Sequence, residues 1–150
     1  MAKLRDLVPN LEFSISYTTR QPRGSERNGF EYNFVSREEF EKMIGEDAFL
    51  EHAEVFGNYY GTACHFLKDA EREGKDLLLD IDVQGAAQLR HRAPNAVSIF
   101  VLPPDKETLE QRLRKRSQAE HVVDERIICR RLEKAREELC RYPDYDYILV

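Results

Sequence analysis

Several groups of side chains in this chain have the types and spacing that chemistry needs. Ser16, Thr18, Thr19, Arg20 and Arg23 fall within eight positions around Gln21-Pro22. Guanidinium groups meet phosphate oxygens two at a time and stay charged at any working pH, so paired arginines beside hydroxyls suit an oxyanion. The same residues also fit a solvated loop whose arginines pair with Glu26 and Glu31, and both readings stand at this point. Tyr59 and Tyr60 lie in a second group, an aromatic turn between Gly57 and Gly61, with Tyr32 in another turn region. Tyrosine joins apolar area to a hydroxyl, which serves a base or phosphate in a cleft as readily as it serves a core.

A third group is Asp80-Ile81-Asp82, at the end of an apolar run. In open α/β sheets ligands collect beyond the carboxyl ends of the strands, and period-two spacing on a strand turns both carboxylates to one face. Such a carboxylate accepts hydrogen bonds from a base amine or holds Mg²⁺ through water. It also caps a following helix, here near Gln84-Gly85. Glu51 closes a shorter apolar stretch in an acidic region and taken alone reads as an exposed strand end. The fourth group is basic: ten Arg and Lys between 112 and 141 stand against six acids, a surplus of four positive charges. That surplus suits polyphosphate, and it equally suits a solvated helix face laced with Glu–Arg pairs.

Other chemistries find no support. No GxxxxGK[ST] loop occurs, and Gly74-Lys75 lacks both the upstream glycine and the following Ser or Thr. His52, His65, His91 and His121 share no motif, and Cys64 beside His65 is a neighbour in sequence only. Cys64, Cys129 and Cys140 are odd in number and far apart, so neither a disulfide framework nor a zinc site is expected.

The elements that must position these groups alternate between strand and helix patterns. Phe13 to Tyr17 and Glu31 to Val35 read as short strands, and Ser36 with Glu39 as a capping box opening a helix through REEFEKMIGE. Leu50 to Phe56 is extended; Thr62 is expected to cap the next helix, which stops at Gly74. Leu77 to Val83, Ala96 to Leu102 and Tyr145 to Val150 are apolar without alternation, as in strands buried on both faces of a parallel sheet. Helices are expected over 84–92, around Leu109 and Leu113 after Asp105, and over about 122–142 with Ile128, Leu132, Ala135 and Leu139 as its apolar stripe. This alternation calls for an α/β fold.

Composition sets the outer bounds. The chain has 150 residues, 41% of them hydrophobic and 34% charged, with a formal net charge of −5. One domain of ordinary size is expected, residues 1–150, globular rather than disordered. No apolar run reaches the roughly 20 residues of a membrane helix, the opening MAKLRDLVPN is no signal peptide, and the acidity speaks against nucleic acid as a partner. A cytoplasmic, metal-light protein is the expectation. MAKLRDL itself reads as a helical fragment with nothing ahead to cap it, and DYDYILV as a buried strand without its usual continuation.

Taken in order, these stretches resemble the guanylate kinases, nucleoside monophosphate kinases that move a phosphoryl group from ATP to GMP. FSISYTTRQPR is similar to the family's FSxSxTTRxPR, NGFEYNFVSREEF to its NGxDYxFVS, and FLEHAEVFGNYYGT to its FLEWAxxxGNYYGT. LLLDIDVQGA, SIFVLPP and CRRLEKAREEL match further landmarks. The resemblance implies a P-loop-kinase-like parallel sheet flanked by helices, a small, mostly β GMP-binding region at about 14–62, a helical lid at about 112–131, and core elsewhere.

Roles carry over residue by residue. The resemblance implies that Ser16, Arg20, Arg23, Tyr32 and Tyr60 hold the GMP phosphate, and that Glu51, Thr62 and Asp82 read guanine, whose N1–H and exocyclic amine are both donors. Thr62 stands where the family often has Ser, and the hydroxyl is kept. Arg116 and Arg131 match lid arginines that neutralise the phosphates during transfer, with Arg20 in the same catalytic set. His52 stands where the family usually has Trp, an expected packing change. ATP with Mg²⁺ is the implied phosphoryl donor, and no metal ligand of this chain is implied. Measured against the pattern, the first core strand with its glycine-rich loop and the stretch after Val150 are expected to be missing. The leading expectation is therefore a guanylate kinase with negligible turnover by these 150 residues alone. A catalytically inactive module binding GMP or a phosphorylated peptide is the alternative, and an inert remnant that does not fold alone is a third reading.

Overall fold

The computed structural model describes residue 4, residues 7–119 and residues 124–150. Contacts divide the chain into two compact units, Met1–Pro94 and Asn95–Val150. The helical fragment expected at MAKLRDL lies largely outside the described residues, as does the start of the helix expected from 122.

The first unit holds two sheets. Strands β1 (Leu11–Phe13) and β6 (Asp76–Leu78) form a parallel pair, Leu11 beside Asp76 and Phe13 beside Leu78. The other sheet is four-stranded and mixed, in the order β3 (Asn33–Phe34), β2 (Tyr17–Thr18), β5 (Asn58–Ala63), β4 (Phe49–Val55). The single strand expected over Phe13–Tyr17 is thus two strands in two sheets, because the chain leaves β1 at Ser14 before it joins β5 at Tyr17.

Helix α1 (Arg37–Gly45) begins as the capping signal predicts, with the Ser36 hydroxyl accepting from the Glu39 amide at 3.1 Å. Its Phe40 is fully buried, stacked on Phe49 at 4.4 Å and on Tyr59 at 5.2 Å between centroids. Gly61 makes that stack possible. A Cβ there would stand 2.9 Å from Phe49 Cδ1 and 3.0 Å from Phe40 Cζ, closer than packed carbons come.

The aromatic turn is not a turn beyond its first residue. Phe56 and Gly57 connect β4 to β5, both at positive φ (50° and 80°), and Tyr59 and Tyr60 already lie in β5. Strand alternation then separates them: Tyr59 joins the Phe40 core while Tyr60 meets Tyr32. Thr62 likewise belongs to β5 and caps nothing. Helix α2 (Cys64–Glu73) starts after Ala63 without a side-chain cap and stops at Gly74 in the left-handed region, as expected. Helix α3 (Val83–Arg92) is capped by Asp82, whose carboxylate accepts from the Gln84 and Gly85 amides at 3.1 and 2.9 Å.

The second unit pairs β7 (Ile99–Val101) with β8 (Tyr147–Leu149) in parallel and carries helices α4 (Lys106–Ala119) and α5 (Glu125–Leu139). Ile128 is its buried anchor on α5, and Pro143 lies in the short 3-10 turn Tyr142–Asp144 that follows. The parallel pairings fit the α/β expectation, but the burial expected for the three apolar strands does not hold. Leu77 and Leu78 are half-buried, Ile99 and Val101 flank a buried Phe100 while exposed themselves, and β8 is exposed throughout. Each of these strands has a single neighbour among the described residues, and a two-stranded ribbon covers little of itself.

Candidate functional site

Two polar corners form on the mixed sheet of the first unit. The first gathers around Arg20, which is 7 % exposed. Its guanidinium donates to both Glu26 oxygens at 2.9 and 3.0 Å and to the Gln21 carbonyl at 2.7 Å. It lies over the rings of Tyr32 and Phe34 at 5.3 and 5.7 Å, with the Tyr60 side chain also interacting. Tyr32 meets Tyr60 edge to face at 5.9 Å. Burial works against the Arg20 charge, but the hydrogen bonds and negative charge of Glu26, together with Tyr60, outweigh it and hold the arginine above its ordinary pKa. The same contact holds the Glu26 carboxyl below its ordinary value.

Glu26 also accepts from the Arg23 backbone amide at 2.7 Å, so one carboxylate orders the whole Arg20–Arg23 corner. Of the two sequence readings of this loop, the Arg20–Glu26 pairing is present, and it holds the arginine beside two tyrosines. Arg20 Nε remains buried without a hydrogen-bond partner. Ser16 is half-buried just before β2, where its carbonyl accepts from the Asn33 amide at 2.9 Å.

The second corner is built on Glu51, 4 % exposed. Strand β4 bulges between Phe49 and Glu51, so that Phe49 faces Ala63 and Glu51 faces Thr62. The extra residue breaks the alternation and turns Phe49, Leu50 and Glu51 all inward. This is why Glu51 is not the exposed strand end expected from its acidic surroundings. Burial pushes its carboxyl above the ordinary range, the negative charge of Asp82 adds to that, and Thr62 partly offsets it. Thr62 is fully buried and close to Glu51, yet its hydroxyl completes no hydrogen bond of regular geometry. Asp82 reaches this corner as the cap of α3. Asp80 lies outside β6 and is exposed, so the expectation of two carboxylates on one strand face fails once the strand ends at Leu78.

Helix α3 supplies residues that the sequence reading did not single out. The Gln88 side chain accepts from the His52 amide at 3.2 Å and donates to the His52 carbonyl at 2.6 Å. Arg92 donates to the Phe49 carbonyl at 2.8 Å and pairs with Asp47 at 2.7 Å. These side chains occupy the outward hydrogen-bonding groups of β4, the edge strand of the sheet. The signal in sequence was a helix with polar residues at 88 and 92, one face of α3, which pattern alone assigns to solvent. His52 itself is half-buried, its ring 6.0 Å from Phe49, in keeping with a packing role.

Arg116 and Arg131 belong to the second unit. Arg116 is exposed on α4; Arg131 on α5 donates to the buried Ser117 hydroxyl at 3.1 Å. Nearby, Arg114 donates to Glu110 at 2.8 and 3.0 Å and pairs with Glu125 at the start of α5. Of the basic surplus, this much is Glu–Arg pairing between two helices. Lys75, the lysine of Gly74-Lys75, is tied on the surface to Glu12 and Glu73 at 3.2 and 2.5 Å. Among the described residues, no group of three or more His, Cys, Asp and Glu converges to hold a metal ion, and no helix is long and apolar enough to cross a membrane.

Fold and site together define an α/β chain with a guanidinium–tyrosine corner and a buried carboxylate–hydroxyl corner on one small sheet. The sequence model of the guanylate kinase family matches residues 4–150. A guanylate kinase from Koribacter versatilis is 60% identical over 148 residues, 99% of this chain and 63% of that protein. Guanylate kinases from Photobacterium profundum and Escherichia coli K12 are each 50% identical, over 94% and 93% of this chain and 66% and 65% of their own. The crystal structure of guanylate kinase from Anaplasma phagocytophilum superposes with a TM-score of 0.80 at 36% identity, covering 98% of this chain and 70% of that one. The chain belongs to the guanylate kinase family. It spans 63–66% of the length of these curated relatives.

Proposed function

We propose that this chain carries the GMP-accepting side of a guanylate kinase, the enzyme that passes the γ-phosphoryl group of ATP to GMP and yields ADP and GDP in purine nucleotide metabolism. One observation carries the reading: a carboxylate buried at Glu51, its pKa raised, beside the Thr62 hydroxyl that lacks a proper partner. Guanine fits both, because its N1–H and exocyclic amine are two adjacent donors, whereas adenine offers no such pair on that edge. Asp82, already fixed by two helix amides, adds a second acceptor.

The phosphate belongs at the other corner, where Arg20 and Arg23 supply guanidinium groups and Ser16, Tyr32 and Tyr60 supply hydroxyls. The buried, unpartnered Arg20 Nε supports that assignment. As charge spreads over the transferred group, Arg20 would offset it, with Arg116 and Arg131 of the second unit as the lid arginines. A module that binds only phosphorylated peptide needs the arginine corner but gains nothing from burying Glu51, which favours the nucleotide.

ATP with Mg²⁺ is the donor in this reaction. The described residues do not form its seat: Lys75 is engaged by Glu12 and Glu73, no Ser or Thr follows it, and no carboxylate cluster gathers. The steps assigned to this chain are therefore binding, orientation and charge compensation on the GMP side, in a cytoplasmic setting with small molecules as partners. Calorimetric titration of the chain with GMP, AMP and ribose 5-phosphate tests the reading. GMP is expected to bind most tightly; equal affinities for all three would remove guanine from the site.

A further inference from the structure

Glycine is a poor helix former, and Gly85 sits in the first turn of α3 with no positive φ to require it. Its environment gives another reason. A Cβ at position 85 would stand 2.2 Å from Glu51 Oε2, 2.9 Å from Glu51 Cδ and 3.4 Å from Glu51 Cγ, its three nearest neighbours. The bare backbone of α3 is thus the wall against which the Glu51 carboxylate rests. One turn further along the same helix, Gln88 holds both the amide and the carbonyl of His52, the residue after Glu51.

We propose that Gly85 and Gln88 are positioning residues for base selectivity, α3 using a missing side chain and a bidentate amide to fix where the Glu51 carboxylate stands. The inference rests on the reading of Glu51 as a guanine acceptor. The bulge after Phe49 leaves β4 without a regular register at that point, so the pairing with β5 does not by itself determine where Glu51 points. The Gln88 clamp holds the outward amide and carbonyl of His52, just past the bulge, from outside the sheet. Gly85 then limits how far the carboxylate can retreat toward the helix, while the Asp82 charge opposes its approach to the cap. Neither residue has to touch the nucleotide, and neither bears on the phosphate corner.

A stability cycle and a binding series test this on the 150-residue chain. Gly85→Ala is expected to lower the melting temperature when Glu51 is present. In a Glu51→Ala background the same change is expected to raise it by about 2–4 °C, the ordinary gain of alanine over glycine in a helix. The same sign in both backgrounds overturns the contact between Gly85 and Glu51.

In binding, Gly85→Ala and Gln88→Ala are each expected to weaken GMP about tenfold, as for the partial loss of a charge-assisted hydrogen bond, with ribose 5-phosphate unchanged. Equal losses for both ligands reduce the two residues to a merely structural role. Glu51→Asp, which withdraws the carboxylate by one methylene, is expected to lower GMP affinity in the parent chain and to recover part of it in Gly85→Ala. Should Gly85→Ala fail to fold, the Gly85→Ala/Glu51→Ala pair and Gln88→Ala decide the matter. A parent chain that does not distinguish GMP from ribose 5-phosphate overturns the guanine reading itself, whereas a discriminating parent with indifferent variants overturns only this inference.

Discussion

The two polar corners of the mixed sheet solve opposite problems. At the Arg20 corner the buried charge already has its counter-charge: Glu26 meets it with both oxygens, two rings cover it, and both groups are held in their ionised forms. At the Glu51 corner the buried carboxylate faces another carboxylate and a threonine, and the ionised form is disfavoured. The first corner is stable in itself and must give up part of its pairing to take an anion. The second is costly until donors arrive. On the proposed reading, the phosphate meets a corner already ordered by its own ion pair, and the base meets a carboxylate whose cost a ligand with donors offsets.

The comparison breaks most visibly at Arg20. Arg20→Ala leaves Glu26 without its ion-pair partner, only the Arg23 amide remaining, and is expected to cost about 2–3 kcal/mol of stability, on the low side for a broken buried pair because Glu26 keeps 22% of its surface. Urea denaturation measures it; a change near zero would mean that the corner is not preorganised. Glu51→Gln is expected to act in two directions. It should weaken GMP by about 1.5–3 kcal/mol, the range for a hydrogen bond to a charged group, and yet raise the melting temperature of the free chain at neutral pH. A variant that loses both stability and affinity would put Glu51 on the same footing as Arg20.

The pH dependence sharpens the contrast. With its pKa raised, Glu51 favours the folded state fully below the ordinary carboxyl value, and that contribution is lost as pH rises through the raised one. Glu26, with its pKa lowered, contributes above the ordinary value and loses that contribution as pH falls through the lowered one. Stability measured across the acid range should therefore lose its decline on the upper side in Glu51→Gln, and its decline on the lower side in Glu26→Gln. Over the Glu51 window, GMP affinity relative to ribose 5-phosphate should rise with pH, because the acceptor becomes charged. The smallest effect belongs to Lys75. Lys75→Met is expected to leave GMP binding and melting as they were, since its ion pairs with Glu12 and Glu73 are exposed. A large loss there would reopen a phosphate role for Gly74-Lys75.

What could be read from sequence followed local signals. Ser36, Gly74 and Asp82 cap helices as their types and positions predict, and the α/β alternation gives the parallel pairs. What could not be read depended on partners distant in sequence. The Glu51 bulge leaves no mark in composition, because one extra residue in a strand looks like any other. The hairpin at Phe56-Gly57 was obscured by a phenylalanine at positive φ, a position where asparagine or aspartate is the usual signal. Tyr59 and Tyr60 could not be sorted into core and corner until β5 was known to begin at Asn58. Gln88 and Arg92 carry polar side chains that face a strand edge instead of water, and no helical period announces that.

The grip of Gln88 on His52 has a consequence for the order in which the molecule opens. An outward amide on an edge strand ordinarily exchanges its hydrogen with solvent freely, whatever the sheet is doing. Here that amide is covered by a side chain 36 positions away, on a helix rather than on a neighbouring strand. Its exchange rate therefore reports the undocking of α3, while the inward amides of β4 report the loss of the sheet. Deuterium uptake at this single backbone position distinguishes a helix that lifts off alone from a unit that unfolds as one.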